Sequence, residues 1–118
     1  MTSSERNQNK YNAIRRRIFL YGRMGDSCPC DICRENPATD MHEIINKDRV
    51  HDPEQRLFSE VEELCSLLCQ NCHMNKAPGM KRFLLEKNVS IYGYNSVKAA
   101  FYRIEEKYRR GITFDISD

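Results

Sequence analysis

The sequence predicts a small α+β fold held together by a metal clip, on three observations. Two Cys-x-x-Cys pairs, Cys30-Asp31-Ile32-Cys33 and Cys69-Gln70-Asn71-Cys72, have 35 residues between them. The segment ATDMHEII between the pairs alternates like a short strand, with Met41, Glu43 and Ile45 on one side and His42 and Ile44 on the other. Near the C-terminus, VKAAFYRIEEKYRR reads as an amphipathic helix closed by Gly111. Two turns that each present two thiolates make the closed tetrahedral site expected for structural zinc. A chain of 118 residues is one domain by length and marginal in core size. Such a clip would contribute folding free energy directly.

Taken in order, residues 1–9 are polar and expected to be disordered. Residues 10–22 place Tyr11, Ile14, Ile18 and Tyr21 near helical spacing, with Arg15, Arg16 and Arg17 largely off that stripe, and predict a flanking helix. GDSCPCDIC is turn-like, and NKDRVHDPEQ reads as a polar loop. In FSEVEELCSLLCQNCHMNK, SEVEEL resembles a capped helical start, whereas CSLLC is short enough for a strand entering a knuckle. Pro78 and Gly79 interrupt any continuous helix from Cys72, so the next helix runs through MKRFLLEK. A final helix over 96–110, capped by Asn95 or Ser96, leaves 112–118 as a weakly specified tail. The domain therefore spans 10–111, with its core over about 28–87.

Charge is unevenly spread although the net is only +2. Residues 1–25 carry a net +5, residues 26–72 a net −7 and residues 73–111 a net +6. Basic arms around an acidic middle suit a polyanionic partner, with the middle left to hold cations. No apolar run is long enough for a membrane span, and the N-terminus lacks the apolar segment of a secretory signal. The expected setting is a reducing, intracellular one, the cytoplasm, where six cysteines read as metal ligands rather than disulfides. Cys28 and Cys65 could in principle compete for places in the site. The two-residue spacing favours Cys30, Cys33, Cys69 and Cys72 and leaves the other two as free thiols, Cys65 in an apolar, core-like stretch.

Three histidines remain, His42, His51 and His73. His73 follows Cys72 directly, so the second knuckle fixes its backbone position, and His42 lies between the knuckles. The same clip could hold a second, open site with His42, Glu43 and His73 on its walls.

CDIC, then ATDMHEII, then LLCQNCHMNK, resembles the HNH endonucleases, small ββα-metal nucleases frequent in phages, mobile elements and restriction systems. Leu68, Cys69, Cys72, His73 and Lys76 match the LCxxCHxxK segment of that family's pattern, and the resemblance covers residues 30–76, about two fifths of the chain. It implies a ββα-metal core in which His73 ligates a divalent metal, Mg²⁺ or Mn²⁺. The histidine dyad has two registers here. In one, His42 binds metal and Glu43 stands at the general-base position. In the other, His42 is the base and Met41 takes a ligand position. A thioether suits hard Mg²⁺ poorly, which favours the first. Strand alternation sends His42 and Glu43 to opposite faces unless the strand ends or bulges there, which counts against it.

The family often places an asparagine a few residues before the second knuckle to steady the loop; Glu63-Leu64-Cys65 stands there instead. Asn46, Asn71 and His51 are weak substitutes by position.

The activity implied by the resemblance is hydrolysis of DNA phosphodiesters, by a nickase or endonuclease acting as a monomer or weak homodimer in a phage-associated or bacterial cytoplasm. Expected backbone contacts are Arg15, Arg16, Arg17, Lys76, Lys81, Arg82, Lys107, Arg109 and Arg110. The alternative is a non-catalytic zinc module that binds nucleic acid or protein and keeps only the four cysteines and the basic arms.

Overall fold

The computed structural model describes residues 2–6, 9, 13, 25–45, 50 and 52–118. The helix expected over 10–22 with its three arginines, most of the loop after Ile45, Asn46 and His51 lie outside the described residues. The fold is α+β. It contains two small antiparallel sheets, β1 (Gly25–Pro29) with β2 (Pro37–Ala38), and β3 (Asp40–Glu43) with β4 (Cys65–Leu68). Helices α1 (Pro53–Ser59), α2 (Gln70–Asn75), α3 (Lys81–Tyr92), α4 (Tyr94–Arg103) and α5 (Glu106–Arg109) accompany them among the described residues, and residues 3–6 are also helical.

GDSCP is a strand rather than part of a turn. It pairs with Pro37–Ala38 across the first knuckle, which the Cys30 N–H closes onto the Asn36 carbonyl at 2.8 Å. The polar loop of the sequence reading also contains a helix. Asp52 accepts from the Gln55 N–H at 3.1 Å, Pro53 opens the first turn and Glu54 faces the positive helix end. The ambiguous stretch resolves as a 3₁₀ turn over Glu62–Leu64 followed by strand β4, all four of whose residues are buried.

A further difference is at the C-terminal helix, which is two helices. Ile104 leaves α4 in an extended conformation and is fully buried, and the next N–H, of Glu105, donates to Gln55 Oε1 at 2.9 Å. Burial of Ile104 and satisfaction of that amide by α1 outweigh helical continuity. The tail is also seated. Ile112, Phe114 and Ile116 alternate toward the core, and the Phe114 ring lies 5.5 Å from Tyr94 and 5.6 Å from Phe101.

The main core joins Ile44, Ile45 and Val50 to Leu64, Leu68, Leu84, Leu85, Val97, Phe101 and Ile104, and includes Cys30, Cys69 and Cys72. Each large side chain buried here is worth roughly 1.5–3 kcal/mol. The cysteine cluster is therefore continuous with the hydrophobic core. It is not an appendage.

Candidate metal centre and histidine site

Each knuckle is a tight turn with its amides aimed at sulfur. The first begins as β1 ends: the Ile32 N–H donates to Cys30 Sγ at 3.4 Å, and the chain turns back through Arg34 in the left-handed region (φ 61°). The second opens α2, where Cys69 is the N-cap residue and Cys72 lies in the first turn. The four Sγ atoms of Cys30, Cys33, Cys69 and Cys72 all lie within 4.8 Å of one another, and Cys33 and Cys69 are 3.9 Å apart. Zinc–sulfur bonds of about 2.3 Å in a tetrahedron require sulfurs about 3.8 Å apart, so the cluster has the right size and donor set.

Electrostatics agree. Backbone N–H donors of Asn36 and Glu35 bring the Cys33 thiol down to about 6, and the Cys72 N–H lowers Cys69. Burial beside the other sulfurs pushes Cys72 up to about 12, a cost that a coordinated cation removes by holding the thiolate. Cys28 and Cys65 stand outside the cluster and are buried, Cys28 with Ala38 and Leu67, and Cys65 with its thiol toward the Ser59 carbonyl at 3.7 Å.

One buried residue inside the first knuckle ties the clip to the sheet. The Asp31 N–H donates to the Leu67 carbonyl at 2.8 Å, and Asp31 Oδ2 accepts from the Leu67 N–H at 2.9 Å. Asp31 thus acts as a one-residue strand partner for β4. In the sequence Asp31 is marked only as one of the two residues between Cys30 and Cys33. Asp31→Ala leaves a buried amide without its acceptor, and zinc-saturated protein is expected to lose about 2–3 kcal/mol in urea unfolding.

Strand β3 pairs with β4 in the register Asp40↔Leu68, Met41↔Leu67, His42↔Ser66 and Glu43↔Cys65. Two-residue alternation places Asp40 and His42 on one face and Met41 and Glu43 on the other. The chain passes from β4 through Cys69 into α2, which carries His73 back over β3. The rings of His42 and His73 meet edge to face with centroids 5.1 Å apart. His73 Nδ1 lies 3.0 Å from Asp40 Oδ2, a contact absent from the sequence reading. His42 and His73 are thus brought together, whereas Glu43 stands on the opposite face.

His42 Nε2 is buried without a hydrogen-bond partner, as is Oγ of Ser66, its neighbour across the strands. Burial, then the nearby His73 and Lys81, lower the His42 pKa to about 4. The imidazole is therefore neutral at pH 7, and its Nε2 makes no hydrogen bond within the protein.

The depressed value also has a sign. Between pH 6.5 and about 4 the unfolded chain takes up this proton before the folded one, so His42 destabilises the fold progressively as pH falls through that window. With a discount for the part of the ring near solvent, His42→Gln is expected to remove on the order of 2 kcal/mol of this acid sensitivity, read by urea unfolding at pH 7 and pH 4.5.

Asn88 holds the entry to β4. Fully buried in α3, it donates through Nδ2 to the carbonyls of Glu63, at 3.0 Å, and Cys65, at 2.9 Å. These residues form the segment just before the second knuckle. Replacement by alanine strands two carbonyls at the entry to β4. Asn88→Ala is expected to cost about 2–4 kcal/mol by thermal or urea unfolding.

The basic side chains are less free than the sequence implied. Lys81 Nζ donates to the Ile44 carbonyl at 2.7 Å. Arg82 pairs with Glu86 at 3.1 Å and Asp115 at 3.6 Å, and Lys107 with Glu105 at 3.5 Å. Arg109 lies over Phe101 and Tyr102 and donates to the Ile104 carbonyl. Lys76 and Arg110 are exposed, the former ending α2 and the latter α5.

Fold and site together define a small α+β module with a four-cysteine metal centre of the zinc-binding kind. Among the described residues, no other group of three His, Cys, Asp or Glu side chains brings ligand atoms within similar reach, and no helix is long and apolar enough to cross a membrane. Comparison with protein-family models, curated proteins and solved structures finds no match for the chain.

Proposed function

We propose that this chain is a metal-dependent DNA nuclease of the HNH kind, in which the zinc clip holds a second metal site made from His42 and His73. The observation that carries this reading is the pairing across β3 and α2. Two histidines, one with a buried nitrogen lacking any partner, face each other beside the four-thiolate centre. The strand–strand–helix order of β3, β4 and α2 supports it, as does the resemblance in sequence over residues 30–76.

His42 and His73 would hold a divalent cation, Mn²⁺ or Mg²⁺, which when bound would supply Lewis-acid chemistry toward water and a phosphodiester. The residues present fit that group. His42 offers a neutral nitrogen at pH 7, and His73 is oriented by a carboxylate. Lys81, near enough to act on His42 electrostatically, adds positive charge to the site. Glu43 is on the other face of β3, which supports the reading in which His42 and His73 are the working pair. Lys76, exposed at the end of α2, is a further side chain placed to meet a phosphate.

The second reading is a non-catalytic zinc module that binds nucleic acid or protein. It is favoured by the absence of a third clustered ligand beside the histidines among the described residues, and by the local pairing of most basic groups. Relaxation of supercoiled plasmid by zinc-loaded protein separates the two. The nuclease reading expects nicking that requires added Mn²⁺ or Mg²⁺. Absence of metal-dependent cleavage on supercoiled, linear and single-stranded DNA would leave the binding module.

A further inference from the structure

We propose that Asp40 is a positioning residue, which locks the His73 ring with its proton on Nδ1 and its lone pair on Nε2. The inference deepens the nuclease reading and rests on it for its functional meaning, but the lock itself stands on geometry.

Asp40 and His42 lie two residues apart on β3, so one strand face presents both to α2. Asp40 Oδ2 is 3.0 Å from His73 Nδ1. With the carboxylate oxygen accepting at this distance, the donor is His73 Nδ1–H. The neutral ring then carries its only lone pair on Nε2. The other carboxylate oxygen is engaged too, since the Thr39 hydroxyl donates to Asp40 Oδ1 at 3.1 Å. Both oxygens are thus committed to the protein, which suits an orienting role more than direct ligation. Both partners are about one-third exposed, with side-chain accessibilities of 35% for His73 and 32% for Asp40, so the contact is partly shielded and still reachable from solvent. Carboxylate–imidazole contacts of this type fix the ring orientation and tautomer of metal-binding histidines, and their loss commonly weakens metal binding about 10–100-fold.

The test uses the full zinc-loaded chain at about pH 8, where a free imidazole is neutral. Long-range ¹H–¹⁵N correlation spectra, without added divalent metal, report which ring nitrogen of His73 is protonated. Mn²⁺ titration followed by electron paramagnetic resonance reports affinity. In the parent, His73 is expected as the Nδ1–H tautomer. Asp40→Asn keeps an accepting oxygen, and so keeps the tautomer and Mn²⁺ affinity within about threefold; Asp40→Ala gives mixed tautomers and binding about 10–100-fold weaker.

A parent His73 protonated on Nε2 overturns the proposal, as does an Asp40→Ala variant with unchanged tautomer and affinity. Equal loss in Asp40→Asn and Asp40→Ala, with the tautomer retained in Asp40→Asn, identifies the carboxylate as a direct ligand and also overturns it. An Nδ1–H tautomer in a parent that binds no Mn²⁺ sinks the nuclease reading and leaves the lock in place.

Discussion

Stripping zinc from the chain is expected to unfold it, with loss of the cooperative thermal transition and most of the near-ultraviolet dichroism. Cys30, Cys69 and Cys72 are members of the main hydrophobic core, in one cluster with Leu68, Leu84 and Phe101. Without an ion, four thiols crowd a space in which each sulfur lies within 4.8 Å of the others. Backbone donors favour the thiolates of Cys33 and Cys69 while burial drives Cys72 toward the thiol, and a bound cation offsets the cost of ionising Cys72 there. Zinc binding is worth on the order of 10–16 kcal/mol in small zinc-dependent units, comparable to the whole stability of a domain this size. Cys69→Ser is expected to behave like the chelated parent, because Cys69 both ligates and opens α2. Cys65→Ser is the matched control. Its thiol is equally buried but lies outside the cluster, so the variant should keep one zinc per chain by elemental analysis and a cooperative transition. Loss of zinc in Cys65→Ser, or native-like melting after complete zinc removal, would contradict this.

On the proposed nuclease reading, His73→Ala is expected to abolish metal-dependent nicking, with a fall of at least about a hundredfold, and His42→Ala to do the same. Both rings meet at one place, and removal of either would leave a divalent cation held there with a single imidazole. Zinc content of each variant must match the parent, since His73 neighbours Cys72 in α2. Glu43→Gln provides the contrast. Strand alternation and the pairing of Glu43 with Cys65 place it away from His42, and the variant is expected to nick within a few-fold of the parent. A rate loss in Glu43→Gln equal to that in His42→Ala would restore the carboxylate as general base. The assay thereby decides between the two dyad registers as well as between enzyme and binding module.

The clip was legible in the sequence because its signal is spacing: paired cysteines two residues apart need only a turn to converge. Strand ATDMHEII and the helix after Pro78-Gly79 were legible for similar reasons, through alternation and a proline break. Asp40 was harder. Its role depends on sharing a strand face with His42 and on α2 returning over that face, and neither follows from a lone aspartate. Asn88 was harder still, because it reaches the second knuckle's entry from 23 residues beyond Cys65. Local patterns carry no such long-range hydrogen bond. Helix α1, by contrast, had a readable signal in Asp52-Pro53-Glu54, an N-cap with proline at the first helical position. The single C-terminal helix of the sequence reading failed for a tertiary reason, burial of Ile104 against the core, which local periodicity does not contain.

The central claim, that the zinc clip assembles a second and open metal site from His42 and His73, is tested most directly by anomalous diffraction. Zinc-loaded crystals grown with Mn²⁺ would be measured at wavelengths that separate the two elements. The expected result is zinc at the centre of Cys30, Cys33, Cys69 and Cys72, and a distinct manganese peak in coordination contact with Nε2 of both His42 and His73. Zinc bound by the four sulfurs with no manganese at those nitrogens would contradict it.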